Sequence, residues 1–309
     1  MKTHLAKIYF FGVIALALAG LLSSPVALGL GFIFTLFFKH PFLQQSQKSI
    51  NVLLKVAVVG LGFGMAIVET LQTSISSFGL TLFCVFLTVS FGLVLSRYLH
   101  LDKSLGHLIT SGTSICGGSA IAAISPIIKA DTKTITMALG VVFFLNALAL
   151  ILFPFFGHLL GLNQHQFGLW CAVAIHDTSS VVGAALNYGE EALHIATTVK
   201  LSRTLWIIPM SVVSMFLFKN SRQKIKFPFF ILLFITAILI NSSHILPEVI
   251  TTTFVGISKH LLVVTLFLVG TTMSVSDLKT TGWKPMVFAA TLWGFVSIIS
   301  LFYILNFSV

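Results

Sequence analysis

TSGTSICGGSAIAAISPIIK, residues 110 to 129, decides the fold. The run is apolar and matches the ~20 residues that cross a bilayer's hydrocarbon core, yet Cys116-Gly117-Gly118 breaks it in the middle. Backbone groups at membrane depth must be satisfied internally, so irregular backbone there is tolerated only where it is buried in protein or lines a cavity. The break therefore marks a candidate binding site.

Working outward, composition places the whole chain in the membrane. Hydrophobic residues make up 57% of 309 and charged residues 8%, with a mean hydropathy of +1.04, well beyond what a soluble core of this length needs. The pattern predicts an all-α polytopic membrane protein with eleven spans, near 8–22, 26–38, 51–69, 79–97, 107–129, 134–155, 167–187, 195–218, 228–242, 258–277 and 285–306. One membrane domain, 1–309, accounts for the chain, with no soluble domain, low-complexity tract or long linker. The first segment follows Lys2 and Lys7 as a signal peptide would, but Leu22-Ser23-Ser24-Pro25 is a poor cleavage site and another apolar run follows at once, so it reads as a span. Cys84, Cys116 and Cys171 all lie in apolar segments, a pattern that suggests neither a disulfide framework nor a zinc site.

The net charge of +10 would raise nucleic acid as a partner in a soluble chain; here the placement of the charges answers it. With the N-terminus inside, Lys2, Lys7, Lys39, Lys48, Arg97, Lys103, Lys219, Arg222, Lys224, Lys226, Lys279 and Lys284 fall on one side, and Lys129, Lys133 and Lys259 on the other, twelve against three. This asymmetry predicts an odd number of spans with the N-terminus cytoplasmic and the C-terminus outside, and no nucleic acid among the partners.

Five charges remain inside the spans: Lys55, His176, Asp177, Lys200 and Arg203. An ionisable residue at membrane depth is costly and is a functional candidate by default. Lys55 lies four or five residues inside its expected span, close enough to snorkel to water. His176 and Asp177 lie mid-span. Lys200 and Arg203, three apart, share a helix face, and a permanently charged arginine there needs a carboxylate, backbone carbonyls or an anion. Asp177 could serve it as a structural salt-bridge partner.

Hydroxyls and glycines cluster at the same places. Ser119 is placed to cap a second half-helix running from Ala120 towards Ile128, whose free N–H groups and positive dipole end would face the break. His176-Asp177-Thr178-Ser179-Ser180 interrupts another apolar run, and Gly270-Thr271-Thr272-Met273-Ser274-Val275-Ser276-Asp277 closes a third. Small residues also serve plain helix packing.

Shifting Gly112-Thr113-Ser114-Ile115-Cys116 by 158 positions gives Gly270-Thr271-Thr272-Met273-Ser274, a match between spans of opposite direction. This favours one leading helix plus a 5+5 inverted repeat with discontinuous crossed helices, repeat 1 over about 26–155 and repeat 2 over about 167–306. A rival match offset by about 60 sets Cys116-Gly117-Gly118 against His176-Asp177-Thr178, but those spans run the same way if eleven is the count.

Three motifs in order, Gly112 to Ala123, Ala174 to Ala184 and Val199-Lys200-Leu201-Ser202-Arg203, resemble the signatures of the YeiH-type family of bacterial membrane proteins, described as sulfate exporters. The family is similar in turn to the superfamily of cation-proton antiporters and anion transporters, whose members cross two broken helices in a core that moves against a panel. The resemblance implies a secondary transporter with site residues at Ser114, Cys116, Gly117, Gly118, Ser119, His176, Asp177, Lys200 and Arg203. Gly118 stands where many relatives are expected to carry Ala, so sulfate carries over less safely than transport.

The expected mechanism follows. A small sulfate- or sulfite-like anion is held by N–H groups near Gly117 to Ala120 and by the Ser114 and Ser119 hydroxyls, its charge balanced by Arg203 and Lys200. His176, which titrates near neutral pH, and Asp177 couple transport to H+ or Na+. The second broken helix is expected at Gly270, Thr271, Thr272 and Ser274. No cofactor and no metal site is expected, and a homodimer would follow by analogy. Two alternatives stay open: a cation-proton antiporter or sodium-coupled organic-anion carrier using Asp177, and a membrane enzyme with Cys116 as nucleophile and His176 as base, which would need the two within hydrogen-bond reach.

Overall fold

The computed structural model describes residues 2–38, 40–218, 229–272 and 282–307. Its described elements are helices: α1 Lys2–Leu18, α2 Ser24–Phe37, α3 Leu43–Leu61, α4 Ile67–Ser76, α5 Phe78–Tyr98, α6 Lys103–Ser114, α7 Gly118–Ile124, α8 Thr132–Leu159, α9 Gln164–Ala174, α10 Thr178–Tyr188, α11 Glu190–Thr204, α12 Ile207–Leu217, α13 Phe230–Ser242, α14 Glu248–Thr272 and α15 Trp283–Phe307, with a 3-10 turn at Gly62–Gly64. Five helical segments are long and apolar enough to cross a membrane: α5, α8, α11 with α12, α14 and α15. A sixth is added if α3 and α4, bent by 111°, count as one.

Local chemistry sets the ends. The Asp102 side chain accepts the Leu105 N–H (2.9 Å) at the start of α6, and Asp131 accepts that of Thr134 (2.7 Å) at the start of α8. Asn163 and Gln166 form a reciprocal capping box on α9. Pro209 has no N–H for the Leu205 carbonyl, which instead takes the Ile208 N–H in a tighter turn, and α11 gives way to α12 there.

The decisive feature is that two expected spans reverse. Tyr188, at the end of α10, stacks on Phe167 in the first turn of α9 (centroids 3.7 Å apart) and donates its hydroxyl to the Leu162 carbonyl at 2.6 Å. Gln164 accepts the Glu191 N–H at 3.1 Å. The entry and exit of 164–188 are therefore side by side, and α9–α10 is a re-entrant hairpin. The chain then climbs again as α11, beside α9, and runs on through α12.

The second reversal is read from α11, α12 and α8. Arg203 reaches Ser114 at the end of α6, whereas His107 bonds Ser214 (2.8 Å) and Lys103 bonds the Leu217 carbonyl (3.2 Å). So α6 starts at the end of the bundle opposite to Gln164. From its tip, where a Cβ on Gly118 would come within 2.9 Å of Phe143, α7 packs against α12 and leads back to the start of α8. The 28-residue α8, about 42 Å long at 1.5 Å per residue, connects this end to the other, where Gly157 meets Phe167 and Tyr188. Residues 103–129 thus form a hairpin entering from the Lys103 end, and 164–188 one entering from the Gln164 end.

The expectation of crossing spans at 107–129 and 167–187 is corrected accordingly. Hydropathy counts apolar residues, and two half-helices with a turn contain about as many as one crossing. A second correction concerns 51–69: α3 begins at Leu43, eight residues earlier than expected, and ends at Leu61.

The remaining helices form a separate layer. α14 packs against α1, α2 and α3, and α13 against α3, while α5, α8, α11 and α15 surround the hairpins. Gly31 and Gly270 let α2 and α14 touch backbone to backbone: a Cβ on Gly31 would lie 2.2 Å from the Phe267 carbonyl oxygen. Gly20, after α1, meets His260, next to Lys259, whose ammonium pairs with Glu190 at the Gln164 end. α15 passes Ala174 at Trp293 and Trp170 at Ser297. α1 therefore starts at the Lys103 end and α15 finishes at the Gln164 end.

Candidate functional site

The hairpin tips meet in the middle of the bundle. At Gly117 (φ +61°) a Cβ would lie 3.2 Å from the His176 carbonyl carbon and 3.3 Å from the Asp177 nitrogen. Positive φ and this close approach both require glycine. The other tip contains no glycine. It is held by Asn146 of α8, whose side-chain oxygen accepts the N–H groups of His176 (3.0 Å) and Asp177 (3.3 Å). It is also held by Asp177, which accepts the Ser179 N–H (3.0 Å), the Ser180 N–H (3.4 Å) and the Ser179 hydroxyl as the N-cap of α10.

A half-helix ending at membrane depth leaves carbonyls without helical partners. The two cations of α11 take them. Arg203 donates from Nε (3.1 Å) and Nη2 (2.7 Å) to the Ser114 carbonyl at the end of α6, and from Nη1 to Ala172 (3.2 Å) and Val173 at the end of α9. Lys200 Nζ donates to Ala172 (3.3 Å) and Ile175 (2.7 Å), and Trp293 Nε1 to Ala174 (3.1 Å). Both cations are fully buried, and their positive charge faces the negative dipole ends of two half-helices. Among the described residues the only ion pair is Lys259–Glu190, so Arg203 is not paired with Asp177.

A cavity of about 1220 Å³ lies between the hairpin layer and the α2, α3, α13, α14 layer. Gly118, Ser119, Asn146, Asp177, Ser179 and Ser180 line one wall, and Gln47, Lys55 and Thr272 the other. Most lining residues belong to the tips or to the Lys103 half of the bundle, with Leu28 of α2 and Leu54, Lys55, Val56 and Val59 of α3 reaching into the other half.

The structure divides the sequence-derived site residues into three groups. Gly118, Ser119 and Asp177 face the cavity. Ser114, Cys116, Gly117, His176, Lys200 and Arg203 form the sealed crossing behind it; the Ser114 hydroxyl is turned to the Ser111 carbonyl (3.2 Å), and neither ring nitrogen of buried His176 has a hydrogen-bond partner. Cys116 and His176 therefore share no hydrogen bond. Ser119 is not the expected cap: α7 starts at Gly118, with Gly117 as N-cap. Gly270, Thr271 and Thr272 stay helical to the end of α14, where the Thr271 hydroxyl meets His40 Nε2 at 3.1 Å. The break that meets Gly117 is the one about 60 residues on, and not the one 158 residues on. Met273 to Asp277, Ser274 among them, lie outside the described residues, as do Lys39, Lys219, Arg222, Lys224, Lys226 and Lys279.

Sequence reasoning missed Asn146 and undervalued Lys55. Lys55 sits twelve residues into α3 and six from its end at Leu61, about 9 Å from the nearer terminus, and it lines the cavity. A visible signal existed: Gln47 and Lys55, eight apart, fall on one helix face.

Comparison with known proteins gives the chain relatives along nearly its whole length. A family model described as conserved hypothetical protein 698 matches residues 6–289. A UPF0324 membrane protein of Photobacterium profundum is 46% identical over 298 residues, covering 96% of this chain and 91% of its own. A UPF0324 membrane protein of Bacteroides thetaiotaomicron is 44% identical over 285 residues (91% and 86%), and one of Shewanella oneidensis 42% over 303 (97% and 95%). No solved structure matches.

Proposed function

The chain belongs to the conserved hypothetical protein 698 family, whose relatives are UPF0324 membrane proteins, and we propose that it is a secondary transporter for a small anion, with sulfate- and sulfite-like and other sulfur-containing anions as the class. One observation carries the reading: two hairpins entering from opposite ends meet tip to tip at the wall of a large cavity. Irregular backbone at mid-depth is the means by which carriers place binding groups at the membrane midplane. Alternating access then requires the hairpin layer, α5 to α12 with α15, to move against α1 to α3, α13 and α14.

Beside the expected repeat over 26–155 and 167–306 we read a local inverted pair, 103–159 and 164–217, each a hairpin followed by a 28-residue helical segment. On this reading nine crossings plus two hairpins stand where eleven crossings were expected, and parity is unchanged. Placing the Lys103 end in the cytoplasm moves Lys129 and Lys133 to the basic side, so that twelve against three becomes fourteen against one. The N-terminus is then cytoplasmic and the C-terminus periplasmic, in a bacterial inner membrane. Asp177, on the cavity wall, is the coupling carboxylate for H+ or Na+. A cation-proton antiporter or sodium-coupled carrier is the second reading, favoured by the same residue: Asp177 faces the cavity whereas Arg203 is spent on carbonyls. The enzyme alternative has no nucleophile–base contact behind it, since Cys116 and His176 share no hydrogen bond among the described residues.

Purified protein in liposomes, assayed for sulfate, sulfite and taurine flux under imposed pH or Na+ gradients, tests this. Gradient-driven anion flux that falls in Asp177→Asn is expected. No anion flux under any gradient would remove the transport reading, and gradient-insensitive flux unchanged in Asp177→Asn would remove the coupling role.

A further inference from the structure

We propose that Lys55 is the anion-binding residue of the cavity and that its ligand is an organic monoanion, a sulfonate or carboxylate on a short apolar body, and not a free inorganic dianion. The inference rests on the transport reading and names the substrate class for it.

Three observations carry it. First, of the three cations within the apolar segments, Lys55 is exposed and lines the cavity, whereas Lys200 and Arg203 are fully buried on backbone carbonyls. Lys55 forms no ion pair and no side-chain hydrogen bond among the described residues. This exposed ammonium, about 9 Å from the nearer end of α3, faces the cavity without a protein partner and is left to meet a ligand there. Second, the charge available is one. The other acidic residue lining the cavity is Asp177, so a dianion would meet one cation beside a carboxyl group. The remaining polar side chains on the wall, Gln47, Ser119, Thr136, Asn146, Ser179, Ser180, Thr204 and Thr272, are neutral and supply no second positive charge. Third, the rest of the wall is apolar, with Leu54 beside Lys55 and Phe32, Phe143, Phe144 and Phe229 around the space. A volume of about 1220 Å³ with such walls is on the scale of cavities that hold organic molecules, ~300–1,000 Å³. A four-oxygen ion would leave most of it unfilled, whereas an alkyl body covers apolar wall.

The test uses the full chain in neutral phosphatidylcholine liposomes, with sodium sulfate, methanesulfonate, ethanesulfonate, propanesulfonate, butanesulfonate and butyrate as probes. The apparent affinity should rise about threefold to fourfold for each added methylene, with butyrate behaving like the sulfonates and sulfate weakest. Lys55→Ala should lower butanesulfonate uptake at least tenfold, and Lys55→Arg should restore a substantial part. A flat chain-length series, or sulfate stronger than butanesulfonate, overturns the inference while leaving anion transport intact. No flux of any probe removes the transport reading and this inference with it. The series is read on the unsubstituted protein, so it decides even if Lys55→Ala does not fold. A lipid headgroup is the other source of the same anionic chemistry: if butanesulfonate uptake is abolished when a third of the lipid is phosphatidylglycerol, the cation serves lipid and the inference fails.

Discussion

Replacing Arg203 separates a structural staple from an anion ligand. In Arg203→Ala the Ser114 and Val173 carbonyls lose their donor, while Ala172 keeps Lys200 at 3.3 Å. Each orphaned buried acceptor costs about 1–3 kcal/mol. Removing the guanidinium relieves its own burial cost and its repulsion of Lys200, which offsets part of that sum, and breaking one side of a buried charged contact typically costs about 3–5 kcal/mol. A loss of about 3 kcal/mol is expected, seen in detergent as a fall in unfolding temperature of about 6–12 °C. The informative variant is Arg203→Lys. It keeps the charge but has one compact ammonium where the planar fork reaches both hairpins. If Arg203 balances substrate charge, lysine preserves flux; if it ties the tips together, lysine loses most of what alanine loses, in both stability and flux. An Arg203→Lys protein that melts and transports like the parent would refute the staple.

Other expectations follow from the same contacts. Gly117→Ala places a Cβ 3.2 Å from the His176 carbonyl carbon at positive φ and should destabilise by about 2–4 kcal/mol, with loss of folded yield on size exclusion. Asn146→Ala removes the acceptor of two tip N–H groups; about 2 kcal/mol is expected by thermal unfolding, with flux lost. Trp293→Phe, which leaves only the Ala174 carbonyl without its donor, should cost about 1 kcal/mol and spare flux. For topology, single cysteines at Lys103 and Lys129 in a chain with its native cysteines replaced should react with an impermeant maleimide from the same side of the membrane. Labelling from opposite sides would restore the crossing span.

Much of this was legible from residue chemistry. The breaks at Cys116-Gly117-Gly118 and His176-Asp177, the depth of Lys200 and Arg203 and the membrane class all follow from the sequence. Direction was not legible. Whether α7 continues past Gly117 or returns depends on what its face packs against, here α8 and α12, and a 23-residue apolar stretch is compatible with either. The wrong partner for the first break had the same origin, since the offset of about 60 looked forbidden only while both segments were taken to cross. Gly270 misled for a different reason. Glycine beside threonine marks an irregular backbone and also a close helix contact, and against Gly31 it is the contact. Lys55 was undervalued because the polar first turns of α3, Gln44 to Lys48, look like a loop until the helix is seen to begin at Leu43.

The division of labour among the cations follows from the hairpins themselves. A helix that crosses the membrane leaves its unpaired carbonyls at the interface, where water satisfies them; two half-helices that stop at mid-depth do not. At the end of α6 the Gly112 carbonyl takes the Gly117 N–H at 2.8 Å. The carbonyls of Ser114, Ala172, Val173, Ala174 and Ile175 are taken by Lys200, Arg203 and Trp293. A charged donor suits this task better than a neutral one, because it also opposes two converging negative dipole ends. Cations used in this way cannot also release those carbonyls to hold a substrate without unmaking the tips. A ligand in the cavity is therefore left to groups that no backbone claims, and among the described residues lining it the cation is Lys55.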